Sequence, residues 1–435
     1  MGLIRFWFLT IIIGFQFLFI SRLYAIDGTK PFRRALIISG GGITPGVGLG
    51  IIAAAEKSGW TPDLIITTCG ASMSAMIYHK SSDSKASFDF LTSRQFFKGI
   101  RQFKVRDTDA LRLKEGFKRL SLSSNQILPD FFIEPALYGP ETLDNIGFTD
   151  NFKSETGKPK ILMIAAKALF DKKDADKKFS YERFAFNYFT DSKTAGYLKN
   201  YSPAIPLQYP NSYILDKAEV TSDKTTIQAM RGSIADPFVV NPGRIDDDYY
   251  LTGASDLYPY ELAKHLADEV YMTYPDGLFK DYEDKALKVT FGYSANKRLL
   301  QSINESGVKW IDIGGRNKLK LDPKLKIIDF DPWPALLQIV NQIPSDFADF
   351  YDNMRHQWDF GFSRMQEALK LQKVSAVESH IRTPISKSLY KEFSCKNALE
   401  WKTYGNTHCE NDWWPSCDRT VALEKYGAKG CTPIR

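Results

Sequence analysis

A serine flanked by small residues stands in Gly70-Ala-Ser72-Met-Ser74, directly after an apolar run. In the G-x-S-x-G pattern, such a serine lies on a sharp strand-to-helix turn that exposes its hydroxyl as a nucleophile. The N-terminus of the following helix favours the negative charge that develops beside the hydroxyl. Serines at helix starts are also common N-caps. The motif alone therefore leaves a nucleophile and a cap as alternatives for Ser72.

Three successive glycines, Gly40, Gly41 and Gly42, precede this motif by about thirty residues. The loop lacks the Gly-Lys-Ser/Thr of a phosphate-binding loop, and Pro45 stands where a dinucleotide-binding loop has its last glycine. Backbone N–H groups that no Cβ obstructs can instead surround a developing oxyanion. A purely structural turn is the other interpretation. The serine motif downstream favours the oxyanion site, because a serine nucleophile and an oxyanion pocket belong to the same chemistry.

The elements around both motifs predict a parallel α/β unit. Short, β-branched apolar runs precede the glycines and the serine motif and indicate buried strands, and helix formers follow each loop. Right-handed crossovers place both loops at the carboxyl edge of the sheet, where α/β ligand sites lie. Strands are expected at 34–39, 63–69, 160–166, 269–272 and 286–291, and a helix capped by Ser345 within a helical stretch from Pro334. Cys69, at the end of the second strand, is interpreted as a buried small hydrophobe.

With these motifs the sequence resembles the patatin-like phospholipase family over about residues 34–275. The triple glycine and the serine motif match the family's opening pattern. The segment 230–238 is similar to its R-A-S-x-A-x-P pattern, and 249–254 to its Y-x-D-G-[GA] pattern. The resemblance implies a three-layer α/β/α fold with a mainly parallel central sheet.

The family's chemistry implies a lipid acyl hydrolase that uses a Ser-Asp dyad and needs no metal or other cofactor. On this resemblance Ser72 is the nucleophile, and Gly40, Gly41 and Gly42 supply oxyanion donors, to which the Met73 N–H adds one. The implied substrate is a membrane phospholipid or another lipid ester, reached through peripheral membrane contact.

The sequence departs from the family at the dyad aspartate, where it has Thr252. A threonine hydroxyl is not a general base at neutral pH. Asp256 is the nearest following carboxylate and the expected replacement base, with a turn aspartate as the alternative. A catalytically impaired patatin-like domain that binds lipid or a partner protein is accordingly the second functional hypothesis.

The N-terminus predicts export. Arg5 provides a positive start, Phe6–Ile20 an apolar stretch, and Ala25 a small residue at which a signal peptidase cuts. Residues 1–25 are therefore expected to be a signal peptide, which leads to a periplasmic, outer-surface or secreted protein. An uncleaved N-terminal anchor is the alternative, although the stretch is short for a bilayer-spanning helix.

Charge and cysteine content complete the expectations. The net charge of +6 comes from 57 basic and 51 acidic residues without a block of like charges, which argues against nucleic acid as a partner. We expect a patatin-like domain at 26–300, a helical extension at 301–389 and a cysteine-rich tail at 390–435. In an exported protein the tail cysteines indicate two disulfides with three possible pairings, and zinc is disfavoured because no Cys-x-x-Cys occurs. These cysteines are Cys395, Cys409, Cys417 and Cys431.

Overall fold

A computed structural model describes most of the central part of the chain. The longer described ranges are 30–102 (without 41, 43 and 82), 157–171, 182–235, 240–274, 281–314 (without 304) and 346–374. The structure also describes the short pieces 104–105, 137–138, 393–395 and 431–433, and the single residues 152 and 174. Phe32–Arg435 forms one compact unit, and of the other, Met1–Pro31, only the last two residues are described. The predicted signal peptide lies outside the described residues.

The strands alternate with helices along most of the unit. The strands are β1 (Phe32–Ile38), β2 (Leu64–Thr68), β3 (Lys104–Val105), β4 (Leu137–Tyr138), β5 (Lys160–Ala168), β6 (Phe184–Phe189), β7 (Glu219–Thr221), β8 (Gly243–Ile245), β9 (Asp248–Leu251), β10 (Ala267–Tyr274), β11 (Val308–Asp312), β12 (Phe393–Cys395) and β13 (Cys431–Pro433). The helices are α1 (Pro45–Lys57), α2 (Ser72–Lys80), α3 (Ser84–Leu91), α4 (Arg94–Ile100), α5 (Ser192–Tyr197), α6 (Ala204–Gln208), α7 (Thr226–Ser233), α8 (Tyr260–Leu266), α9 (Asp281–Phe291), α10 (Ala295–Ile303) and α11 (Phe347–Val374). Two short 3-10 helices, Cys69–Ala71 and Gly253–Asp256, lie beside the predicted site.

The central sheet has the strand order β11-β10-β1-β2-β5-β6-β7. The pairs from β11 to β5 are parallel, and so is the pair of β6 with β7. The pairs of β5 with β6 and with β9 are antiparallel. This arrangement confirms the prediction of an α/β fold with a mainly parallel sheet.

Hydrophobic clusters cover both faces of the sheet, because successive side chains of a strand point to opposite faces. In β1, Leu36 and Ile38 belong to the cluster that includes side chains of α1, α2, α7 and α11, whereas Ala35 and Ile37 belong to the cluster beneath α8 and α10. Helices therefore pack on both sides of the sheet, as in a three-layer α/β/α arrangement.

One predicted strand is wrong. Residues 286–291, expected to be a strand, are the second half of α9. A short apolar run fits either element when it is judged by periodicity alone. The helix ends at Gly292, which adopts φ 82° and donates its N–H to the carbonyl of Lys288 at 2.8 Å. A left-handed glycine of this kind is a common C-terminal helix stop.

The sheet and its helical cover extend beyond the boundary predicted at residue 300. The edge strand β11 pairs with β10, and α11 packs along α1. The predicted cap Ser345 lies outside the described residues, and Asp346 accepts the N–H of Asp349 at 2.9 Å at the start of α11. Within the described part of the chain, no helix is both long enough and apolar enough to span a bilayer.

Candidate active site

A strained turn joins β2 to α2. β2 ends at Thr68, and the next residue, Cys69, adopts φ 51°. A positive φ is uncommon for a residue other than glycine, and a residue held there costs about 1–3 kcal/mol. Such strain marks the nucleophile position in a strand-to-helix elbow. In this chain the elbow residue is therefore Cys69, three positions before Ser72.

The glycine turn approaches the side chain of Cys69. A Cβ placed on Gly40 would lie 2.4 Å from the Cβ of Cys69 and 3.2 Å from its Sγ, so any side chain at residue 40 would prevent this approach. The Gly40 N–H donates to the Oγ1 of Thr68 at 3.0 Å, which ties the turn to the last residue of β2. Because β1 and β2 are parallel neighbours, their carboxyl ends bring the two predicted motifs together.

The segment with the missing aspartate meets the same turn. A Cβ on Gly253 would lie 2.6 Å from the backbone nitrogen of Cys69. Thr252, directly before it, is fully buried, and its hydroxyl oxygen accepts the N–H of Ala254 at 2.9 Å. The hydroxyl thus caps the short helix Gly253–Asp256. The three loops that meet here contribute a thiol, a glycine turn and a threonine hydroxyl, and the described residues of these loops place no carboxylate in hydrogen-bond contact with Ser72.

Ser72 is fully buried. Its Oγ donates to the Oγ of Ser233 at 2.8 Å and lies 3.2 Å from the Oγ1 of Thr67. Ser233 in turn donates to the carbonyl of Ile164 at 2.6 Å. This chain of hydroxyls ends on a backbone carbonyl and links α2 to α7 and to β5. Hydroxyl partners do not act as general bases at neutral pH.

The structure pairs Asp256 with Arg298 instead of Ser72. Its carboxylate accepts the Tyr258 N–H at 3.1 Å and contacts the Arg298 guanidinium at 3.3 and 3.4 Å. Burial raises the pKa of Asp256, and the Arg298 charge opposes that shift only in part. A side-chain bond to the N–H two residues ahead is typical of an aspartate in a turn, which was the alternative interpretation of Asp256.

Arg298 is the centre of a buried polar cluster. Its side chain is 1% exposed and also contacts Glu261, the carbonyl of Tyr258 at 2.9 Å and Gln208 at 2.9 Å. Burial alone raises the pKa of Glu261, but the bonds and charge of Arg298 outweigh this and hold that pKa below its usual range. The cluster joins α8 to α10, and each of its charges has a partner.

The predicted oxyanion donors have different surroundings. The Gly40 N–H is bonded to Thr68, Gly42 adopts φ 75°, and Gly41 lies outside the described residues. Met73 is the second residue of α2. In an elbow, the donor from the nucleophile's own turn is the N–H of the following residue, which for Cys69 is Gly70. Gly70 stands at the start of a helical turn, where N–H groups have no acceptor within the helix.

Sequence reasoning missed Cys69 as a candidate site residue. Its signal was present: Thr67-Thr-Cys69-Gly-Ala71 also places a nucleophilic side chain among small residues, and it follows the strand without a gap. Among the residues that the structure describes, no group of three His, Cys, Asp or Glu side chains is arranged to hold a metal ion.

The fold and the site together define an α/β protein with a strained strand-to-helix elbow beside a glycine turn. No protein-family model matches the sequence, and no curated protein sequence matches it. Among solved structures, VipD from Legionella pneumophila is similar with a TM-score of 0.30 and 11% identity, over 91% of this chain and 81% of that chain.

Proposed function

We propose that the protein is a lipid acyl-ester hydrolase whose nucleophile is the thiol of Cys69. The observation that carries the proposal is the positive φ of Cys69 at the end of β2, against the first residue of the glycine turn. The lipid substrate rests on the resemblance of the sequence motifs to patatin-like phospholipases. Ser72 as nucleophile with Asp256 as base remains the prediction from sequence, and it is the competing mechanism.

A thiol fits a site from which the dyad aspartate is missing. Of the two nucleophiles, a cysteine thiol depends less on an adjacent base, because a thiol ionises more readily than a serine hydroxyl and is intrinsically more nucleophilic. Thr252 cannot serve as that base, and Asp256 is occupied by Arg298. A cysteine at the elbow therefore depends less on the residue that this chain lacks.

The reaction proceeds in two balanced steps. The Cys69 thiolate attacks the ester carbonyl carbon, the carbon–oxygen bond to the alcohol breaks, and the alkoxide leaves as the alcohol after taking a proton. Water then attacks the resulting thioester, releases the fatty acid and returns the thiol. The Gly70 N–H, together with N–H groups of the glycine turn other than that of Gly40, which is bonded to Thr68, stabilises the oxyanion in both steps.

The test compares three variants of the full chain in the hydrolysis of a short-chain p-nitrophenyl ester and of phospholipid vesicles. Cys69→Ala is expected to abolish turnover, and Cys69→Ser to lower it by roughly the 10²–10⁴-fold of an unassisted hydroxyl. Ser72→Ala is expected to keep turnover within about tenfold of the native value, because it removes only the buried hydrogen bonds to Ser233 and Thr67. Intact-mass measurement of the native protein with a slow ester should detect one acyl group that hydroxylamine removes.

The opposite result, loss with Ser72→Ala and retention with Cys69→Ala, would establish the sequence-based mechanism and reject the thiol. A native protein without any ester turnover would favour the second candidate, a lipid-binding domain that has lost catalysis. The occupied hydroxyl of Thr252 and the Asp256–Arg298 pair are the observations on its side. Sedimentation with anionic and zwitterionic vesicles then measures that binding directly.

A further inference from the structure

Two cysteines of the tail occupy opposite register positions in a short β-ladder. β12 pairs antiparallel with β13, and the register places Phe393 opposite Pro433 and Cys395 opposite Cys431. The two strands are separated by 35 residues of sequence, from 396 to 430. The ladder therefore brings the first and the last of the four tail cysteines to one position.

Pro433 decides whether Cys395 and Cys431 are a hydrogen-bonded or a non-hydrogen-bonded pair of the ladder. Proline has no N–H, so Phe393 and Pro433 cannot exchange the two bonds of a hydrogen-bonded pair. The two pair types alternate along an antiparallel ladder, which makes Cys395 and Cys431 a non-hydrogen-bonded pair as well. Opposite residues share one face of the ladder, and such pairs have Cα atoms about 4.5 Å apart, within the 4.4–6.8 Å that a disulfide spans.

We propose that Cys395 and Cys431, which the register pairs, form a disulfide. If the tail holds the two disulfides expected from the sequence, Cys409 and Cys417 then form the second one by elimination. This pairing selects one of the three that the sequence leaves open. Cys69 is no competing partner, because it is buried in the main core and forms no disulfide. The inference rests on strand register alone and is independent of the proposed hydrolase activity.

Each disulfide forms by exchange with a disulfide-bearing oxidant such as glutathione disulfide. One cysteine thiolate attacks the oxidant and forms a mixed disulfide, and the second thiolate displaces the remaining half. The protein loses two electrons and two protons per bridge, and the oxidant leaves as two thiols. The export predicted from residues 1–25 leads to a compartment in which such bridges persist.

The experiment maps the bridges in the full chain after equilibration with oxidised and reduced glutathione. Free thiols are alkylated at acidic pH to stop exchange, and the protein is digested without reduction and analysed by mass spectrometry. We expect a linked peptide pair that contains Cys395 and Cys431, and a second link between Cys409 and Cys417. A link from Cys395 to Cys409 or to Cys417, or four alkylated thiols at full oxidation, would overturn the proposal.

Single variants make the pairing testable in a second way. Cys431→Ser is expected to leave one alkylatable thiol at Cys395 and an intact link between Cys409 and Cys417. The matched control, Cys417→Ser, is expected to release Cys409 only. Either of the other two pairings would release a different residue in each variant. A Cys69→Ala background keeps the core thiol out of the count.

Discussion

The strain at Cys69 makes a quantitative prediction about the elbow. A left-handed backbone costs an L-residue roughly 1–2 kcal/mol and costs glycine nothing. Replacing alanine by glycine normally destabilises, because the chain loses a buried methyl and gains freedom when unfolded. At Cys69, which has φ 51°, relief of the strain opposes that loss.

Ala71 is a matched control two residues away. It is 7% exposed against 6% for Cys69, and its φ is −66°, in the ordinary right-handed region. The burial and entropy contributions of an alanine-to-glycine change are therefore similar at the two positions, and the backbone strain differs. An alanine-to-glycine change should therefore affect the free energy of unfolding more favourably at residue 69 than at residue 71, by about 1–2 kcal/mol.

The assay measures urea unfolding of Cys69→Ala, Cys69→Gly and Cys69→Ala/Ala71→Gly under reducing conditions. Cys69→Gly is expected to be as stable as Cys69→Ala or more so, whereas adding Ala71→Gly should cost about 1 kcal/mol. All three variants should be inactive if Cys69 is the nucleophile. Equal losses at both positions would refute the strained elbow, and with it the structural reason for assigning the nucleophile to Cys69.

Two further predictions concern packing and charge. Gly361→Ala would place a Cβ 2.0 Å from the carbonyl oxygen of Val47, so the contact of α11 with α1 must shift, and thermal unfolding should show a loss of roughly 1–3 kcal/mol. Gly196→Ala, which meets no atom within 4 Å, is its control and should be neutral or stabilising; equal effects of the two would contradict the close helix contact. Because Arg298 holds the pKa of Glu261 below its usual range, the ionised carboxylate stabilises the fold above about pH 4.3, and this stability is lost as the pH falls further. Glu261→Gln should accordingly be less stable near neutrality and approach the native protein on acidification, and a constant difference in unfolding midpoint between about pH 7 and 3 would exclude this role.

The sequence by itself determined the α/β unit and the meeting of its two motifs. The buried runs that became β1 and β2, the glycines after the first and the helix formers after both were enough to predict parallel strands with loops at one edge. The physical reason is local: period, branching and helix stops act over a few residues. The same local information misassigned residues 286–291, since a short apolar run suits a strand and a helix equally well.

The tertiary structure decided which side chain occupies the elbow and which carboxylate is committed elsewhere. The Cys69 and Ser72 patterns overlap within a few residues, and the positive φ of Cys69, the end of β2 at Thr68 and the approach of Gly40 distinguish them. Asp256 is the nearest carboxylate in sequence, yet Arg298, 42 residues further on, pairs with it. Buried charges are paired with whatever opposite charge the packing brings near, because an unpaired one is costly to remove from water. That partner is set by the arrangement of helices in three dimensions, which no spacing along the chain encodes.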